Sequence, residues 1–380
     1  MSTTENTSQE NTFFAAIHES DVDAVRKMAG EDEELLLAYD YSEFGATPLN
    51  LAAQNGDRAM MRTLVDLGAD PNRRSDWSPG PWSPAQLALN HGDTGTAEYL
   101  VSCGADVDVH VAAGLGRLDR LKEILEDDRE QVHARGGDGC TPLHLAGSPD
   151  VVDLLLEYGA DLEARDVDHW STPVQWVALH SPDVARHMFA RGAEPDIFSA
   201  VLSGATDVVE QLIGKSPDVL GQRINRTTFP PGPDPDVHNI LTFSVGMNAT
   251  PLHAAAVGNQ PELVRLLLKH GMDVNVIGAY DDCTPLHLTA WNNRADAARE
   301  LLKGGAAVET ESGAMHSNTP LGWAIVAGSA DVAAVLLEHG CEIRDYYLRD
   351  AEYGIAGKFR DYLLTSRENY ERIAEMLRAA

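Results

Sequence analysis

Five blocks of this chain open on the same three letters: TPLNLAAQNG from Thr47, TPLHLAGSPD from Thr141, TPLHAAAVGN from Thr250, TPLHLTAWNN from Thr284 and TPLGWAIVAG from Thr319. STPVQWVALH at 171–180 is a looser copy. The last three starts lie 34 and 35 residues apart. A fixed period of that size signals stacked supersecondary units, none of which can bury its apolar face alone. Each letter has a task. Threonine caps a helix by accepting from a free N–H of the first turn. Proline suits the first helical position, where a missing N–H costs nothing. Leucine points into the stack. Histidine, three residues after the threonine, has the capping-box spacing and is predicted to reach back to the cap.

A second apolar run follows each block, as in VRLLLKHG at 264–271, VVDLLLEYG at 151–159 and VAAVLLEHG at 332–340. Its glycine is predicted to end the second helix in the left-handed region. An extended connection then leads to the next threonine. This pattern, fullest in TPLHLTAWNNRADAARELLKGGAAVE at 284–309, resembles the ankyrin repeat. The resemblance implies an all-α fold: an α-solenoid of helix-turn-helix repeats with β-turn fingers and a concave groove that usually binds proteins. Weakened copies at 11–30, 83–108, 108–128 (with His110 at the motif histidine) and 195–215 bring the count to about ten. The expected organisation is a disordered tail at 1–11, a repeat array at 12–343 and C-terminal capping helices at 344–380. In the cap, Phe359, Leu363, Tyr370, Ile373 and Leu377 keep helical spacing.

Two repeats depart from the period by loss. LHLAGSPDVVDLLL lacks about a turn between its helices and VQWVALHSPDVARHMF slightly less, so a kink is expected around 145–185. Two others depart by insertion: RRSDWSPGPW at 73–82, and 221–248, where FPPGPDP precedes a strand-like ILTFSV. A segment as long as the second is usually functional or disordered. It is either a lid over the groove or a solvated, proline-rich excursion.

The chain carries 29 Lys and Arg against 59 Asp and Glu, a formal net charge of −30. Such a field repels nucleic acid and anionic membranes, and no basic cluster offsets it. A basic partner fits it, as does simple solubility. The four cysteines, Cys103, Cys140, Cys283 and Cys341, have no metal or disulfide spacing. With no signal-like start and no apolar run of about 18 residues, the expectation is a soluble, cytoplasmic monomer without cofactor or metal.

Positions before the threonine and after the inner helix vary between repeats and face the expected groove. They supply the candidate contacts Trp82, Asp138, Asp168, His169, Trp170, Tyr280, Asp281, Trp291, Asn292 and His316. Large aromatics on a rigid surface are what binding hot spots use; the plainer account is that these cover kinked repeats and insertions. Trp176 and Trp323 stand at the usual leucine and are expected in the core. Asp166 is expected to order its turn, leaving Asp168 and His169 free. With Tyr280 these are the candidate acid–base residues, although polar finger tips need no chemistry to explain them. The motif histidines His144, His253 and His287 are expected to be structural. The expected function is therefore a non-catalytic scaffold for a protein or peptide. The alternative is a small-molecule binder or atypical enzyme whose pocket is closed by 221–248.

Overall fold

Short helices in antiparallel pairs make up the structure. The computed structural model describes residues 7–78, 80–279, 282–313, 318–359 and 366–380. Among these no strand forms, and the fingers contribute isolated bridges such as Gly278 with Cys283. Inner helices are short: Pro48–Gln54, Pro251–Val257 and Pro285–Trp291 have seven residues each. Outer helices are longer and amphipathic. Pro261–Lys269 buries Leu263, Val264 and Leu267 and leaves its charged residues to water. The glycines after the outer helices, Gly68, Gly104, Gly159, Gly192, Gly271, Gly305 and Gly340, all have positive φ, as their position predicts.

The motif histidine does two things at once. In the repeat starting at Thr250, His253 Nδ1 accepts the Thr250 N–H at 3.2 Å. The other ring nitrogen must then carry the proton. It donates to the carbonyl of Cys283, just before the next threonine, at 3.0 Å. His287 repeats this with Thr284 and Asn318, and His144 with Thr141 and Ser171. His110, in a repeat that lost the rest of the motif, bonds the Cys140 carbonyl at 3.0 Å. Asn50 does the same job with an amide: Oδ1 accepts from Thr47 N–H, and Nδ2 donates to the Trp82 carbonyl at 3.2 Å. Each inner helix is thereby capped and stitched to the next finger. Burial holds His144, His253 and His287 neutral, with pKa values lowered to about 4.

The chain divides into two compact units. One is Met1–Glu194 with Asp234–Val237; the other is Pro195–Pro233 with His238–Ala380. In the first, a helix over Ser8–His18 begins inside the expected tail. Thr7 and Glu10 form a complete capping box, Thr7 N–H to Glu10 Oε2 and Glu10 N–H to Thr7 Oγ1. This favourable cap carries helix into 7–11; residues 1–6 lie outside the described residues.

In the second unit the long insertion is tied at its base, Ile224 N–H to the Ala249 carbonyl at 2.9 Å and Asn248 N–H to the Ile224 carbonyl at 2.7 Å. The strand-like ILTFSV is instead a helical turn, Leu241–Ser244. Asn239 Oδ1 accepts from Leu241 N–H at 3.1 Å just ahead of the turn, and among the described residues no strand stands beside it to pair, so β propensity does not prevail. The C-terminal helices Tyr347–Ile355 and Arg367–Ala379 bury Tyr370, Ile373 and Leu377. The Thr319 repeat has Gly322 where histidine would stand, and there Thr319 Oγ1 bonds the Tyr347 hydroxyl at 2.6 Å. Leu363 lies outside the described residues.

Candidate functional site

The 73–82 insertion closes on itself. Ser75 N–H donates to the Trp82 carbonyl and Trp82 N–H to the Ser75 hydroxyl, both at 2.9 Å. The indole of Trp82 turns inward onto Gly137, where a Cβ would stand 1.9 Å from the ring, so no side chain fits. Its Nε1–H donates to Asp138 Oδ1 at 2.8 Å. Trp82 is 6% exposed and Asp138 8%, which corrects the expectation of a surface anchor beside a finger-tip acid. An indole is stable inside once its one N–H has an acceptor. The Asp138 carbonyl then accepts Val167 N–H at 2.9 Å and Asp168 N–H at 3.2 Å, docking one finger on the next.

Asp166 is fully buried and orders its turn, as expected. Oδ1 accepts His169 N–H at 2.5 Å; Oδ2 accepts Ser171 N–H at 2.7 Å and the indole N–H of Trp176 at 3.0 Å. This folds His169 back over its own turn. Its Nδ1 comes within 3.7 Å of Asp166 Oδ1, 3.9 Å of Asp168 Oδ2 and 4.0 Å of Asp138 Oδ2. The ring stands edge-on to Trp176 at 5.4 Å. Three carboxylates from two fingers therefore surround one imidazole, and the indoles of Trp82 and Trp176 hold two of them, Asp138 and Asp166.

The charges pull against one another. Burial pushes Asp138 up to about 6, against the attraction of His169 and the Trp82 hydrogen bond. Burial also raises Asp168, helped by the charge of Asp166 and opposed by His169. For Asp166, burial is outweighed by its bonds from His169 and Trp176, and its pKa falls. Burial disfavours an imidazolium at His169, but the close carboxylates of Asp166, Asp138 and Asp168 outweigh it and raise its pKa.

The remaining candidates do not join this cluster. Trp170 is half-buried with φ 52°, and its carbonyl accepts from Arg165 at 3.0 Å. Trp291 and Asn292 belong to the second unit. Trp291 is half-buried, edge-on to Trp323 at 5.7 Å, and Asn292 donates to the Leu288 carbonyl of its own helix at 2.9 Å. Tyr280, Asp281 and His316 lie outside the described residues. Trp176 and Trp323 are core, as expected. Burial drives the Cys140 thiol pKa well up, which keeps it unreactive. Sequence reasoning missed Asp166 and Trp176 as members of the cluster. It also missed Phe44, 65% exposed and in edge contact with Trp77 at 4.9 Å, and the exposed Val167 beside Asp168.

Repeat length shapes a second feature. From cap to outer helix is eleven positions in regular repeats (Thr47 to Arg58, Thr250 to Pro261), eight from Thr141 to Pro149 and ten from Thr172 to Pro182. The inner helix of the shortest repeat is a single 3-10 turn, Pro142–Leu145. Beside it lies a cavity of about 120 Å³, lined by Asn90, Gly114, His144, Gly147, Trp176 and His180 among others.

The family described as ankyrin repeats in three copies matches residues 12–110, 86–166, 197–312 and 281–347. The repeat holding His169 and Trp176 falls between those segments. Among similar proteins, the mouse ankyrin repeat and SAM domain-containing protein 6 is 32% identical over 91 residues, 23% of this chain and 10% of its own. The human B-cell lymphoma 3 protein is 29% identical over 157 residues, 37% and 35% of the two chains. The serine/threonine-protein kinase VIK of Arabidopsis thaliana is 51% identical over 49 residues, 12% and 11%. The alignments thus span about a tenth to a third of these relatives. Among the described residues no helix is long and apolar enough to cross a membrane.

Proposed function

The chain belongs to the ankyrin repeat family, and from that premise we propose that it is a recognition scaffold for a protein or peptide, engaged through the fingers of its first unit. The observation that carries the reading is the exposed apolar row there. Phe44 packs on Trp77, and Val167, its N–H held by the Asp138 carbonyl, stands exposed beside Asp168. Exposed aromatics held by a rigid, buried network lose little freedom on binding, which is how hot spots form. The net charge of −30 favours a basic partner and a fast, salt-sensitive approach. Trp82 and Asp138 support this surface from beneath and do not touch the partner.

The test is affinity capture from cell extract with the wild-type chain and Phe44→Ser in parallel. A partner held by the first and lost from the second supports the reading. A partner held equally by both moves the contact elsewhere. The alternative, a small-molecule binder or enzyme, draws on the cluster around His169. Of its three expected acid–base residues, the structure brings together Asp168 and His169.

A further inference from the structure

Three carboxylates around one imidazole are an excess of negative charge that His169 cannot neutralise, even protonated. Two of them, Asp138 and Asp168, point an oxygen at His169 Nδ1 from separate fingers, at 4.0 and 3.9 Å. The third, Asp166, is already committed to three N–H donors. A second observation concerns Asp138 alone. Its side chain is 11% exposed, Trp82 satisfies its Oδ1, and its Oδ2 faces the His169 imidazole at 4.0 Å. A carboxylate set this deep, with a hydrogen bond on one oxygen, is stabilised by a cation at the other.

We propose that Asp138, Asp168 and His169 form a site for one divalent transition-metal ion, which joins the finger at 136–140 to the finger at 166–171. One ligand atom from each residue lies within 4.8 Å of the others. Zinc takes nitrogen and oxygen ligands at about 2.0–2.2 Å, so its ligand atoms sit roughly 3–4 Å apart. Small rotations of Asp168 and His169, both half-buried, close the difference. The mixed oxygen and nitrogen set favours zinc and its first-row neighbours over calcium and magnesium, which prefer oxygen alone. An outer contact of the kind that orients metal ligands is in place, the Trp82 N–H on Asp138. Asp166 stays outside the ligand set and fixes the turn that carries His169. Sequence spacing hid this site, because Asp138 stands thirty residues before Asp168.

The test is calorimetric titration of the full chain, stripped with chelator, with Zn²⁺, and with Mg²⁺ and Ca²⁺ as comparators. One Zn²⁺ per chain is expected, at least tenfold tighter than either comparator. Asp168→Asn and His169→Gln should each weaken it tenfold or more, while Asp183→Asn, on the exposed face of another helix, should not. Tryptophan fluorescence adds a readout in the wild-type chain, since Trp77, Trp82 and Trp176 surround the site. It should change and saturate at one equivalent, even if a variant fails to fold. Equal binding by wild type and both cluster variants overturns the proposal, and so does unsaturable wild-type binding or a fluorescence signal indifferent to Zn²⁺.

Discussion

The finger before Thr284 and the finger before Thr172 hold equivalent places in their repeats and are built from different chemistry. At the first, His253 reaches forward as a neutral imidazole to the Cys283 carbonyl, and His287 carries the same contact onward to Asn318. At the second, His144 makes the corresponding bond to Ser171, and a second layer is added: Asp138, Asp166, Asp168 and His169, wedged among indoles. The neutral stitch is enough to hold a repeat to its neighbour. The charged layer comes in addition, and buried charge generally costs stability compared with well-packed apolar side chains. It adjoins the exposed Phe44 and Val167, and two of its members, Asp168 and His169, fall in the stretch outside the family matches.

Mutation should separate the two chemistries. The largest effect is expected for Trp82→Ala, which empties a buried indole site and strips Asp138 of its donor. A loss of about 3–5 kcal/mol is expected in chemical denaturation of the first unit. Next comes His287→Ala in the second unit, which removes the cap to Thr284 and the bond to Asn318 and orphans a buried carbonyl, about 2–3 kcal/mol. A loss as large for Asp168→Asn as for His287→Ala would break the contrast, because Asp168 is read as dispensable for folding.

Acid should act on the units differently. His253 and His287 have folded pKa values of about 4 against about 6.5 when unfolded. The unfolded chain binds protons first, so their stabilisation is complete above pH 6.5 and is lost as pH falls toward 4, by up to about 3 kcal/mol each. In the first unit His144 behaves alike, and His91 and His110 are lowered too, chiefly by burial. There, however, Asp138 and His169 have raised folded pKa values. They bind protons more readily when folded, so each adds stability as pH falls through its folded pKa, about 6 for Asp138 and above the ordinary imidazole value for His169. Hydrogen exchange between pH 7 and 5 should show the second unit losing protection as pH falls. His287→Gln should flatten its loss. The smallest effect on stability is expected for Phe44→Ser, within about 0.5 kcal/mol, together with the greatest loss of partner; an unfolding scan and a binding assay on one preparation check both.

The fold was legible because its determinants are local. A threonine, a proline and a histidine three positions on specify a cap wherever they occur, and even the lone His110 and the substituted Asn50 find their carbonyls. The missed helix start at Ser8 was local as well: Thr7 and Glu10 spell a capping box that the polar composition around them obscured. The candidate site was only half legible. Asp168 and His169 stood out as a charged pair, but their meaning depends on Asp138, one finger away, and on Trp82, whose inward turn depends on how an insertion closes. No periodicity encodes that closure. ILTFSV looked like a strand because its composition suits one, and composition says nothing about whether a partner strand exists.

One further consequence follows from where the motif histidine sits. Its contact to the next finger lies at the N-terminal end of the inner helix, whereas the shortened repeats lose their residues at the C-terminal end; Thr141, His144 and the bond to Ser171 survive a loss of three. A repeat of this kind is thus editable from one side only. The back half of the inner helix can be shortened, with a recess beside Gly147 where it is, while the cap and the bond to the next finger stay in place. Diversity in this architecture is channelled into depth rather than order.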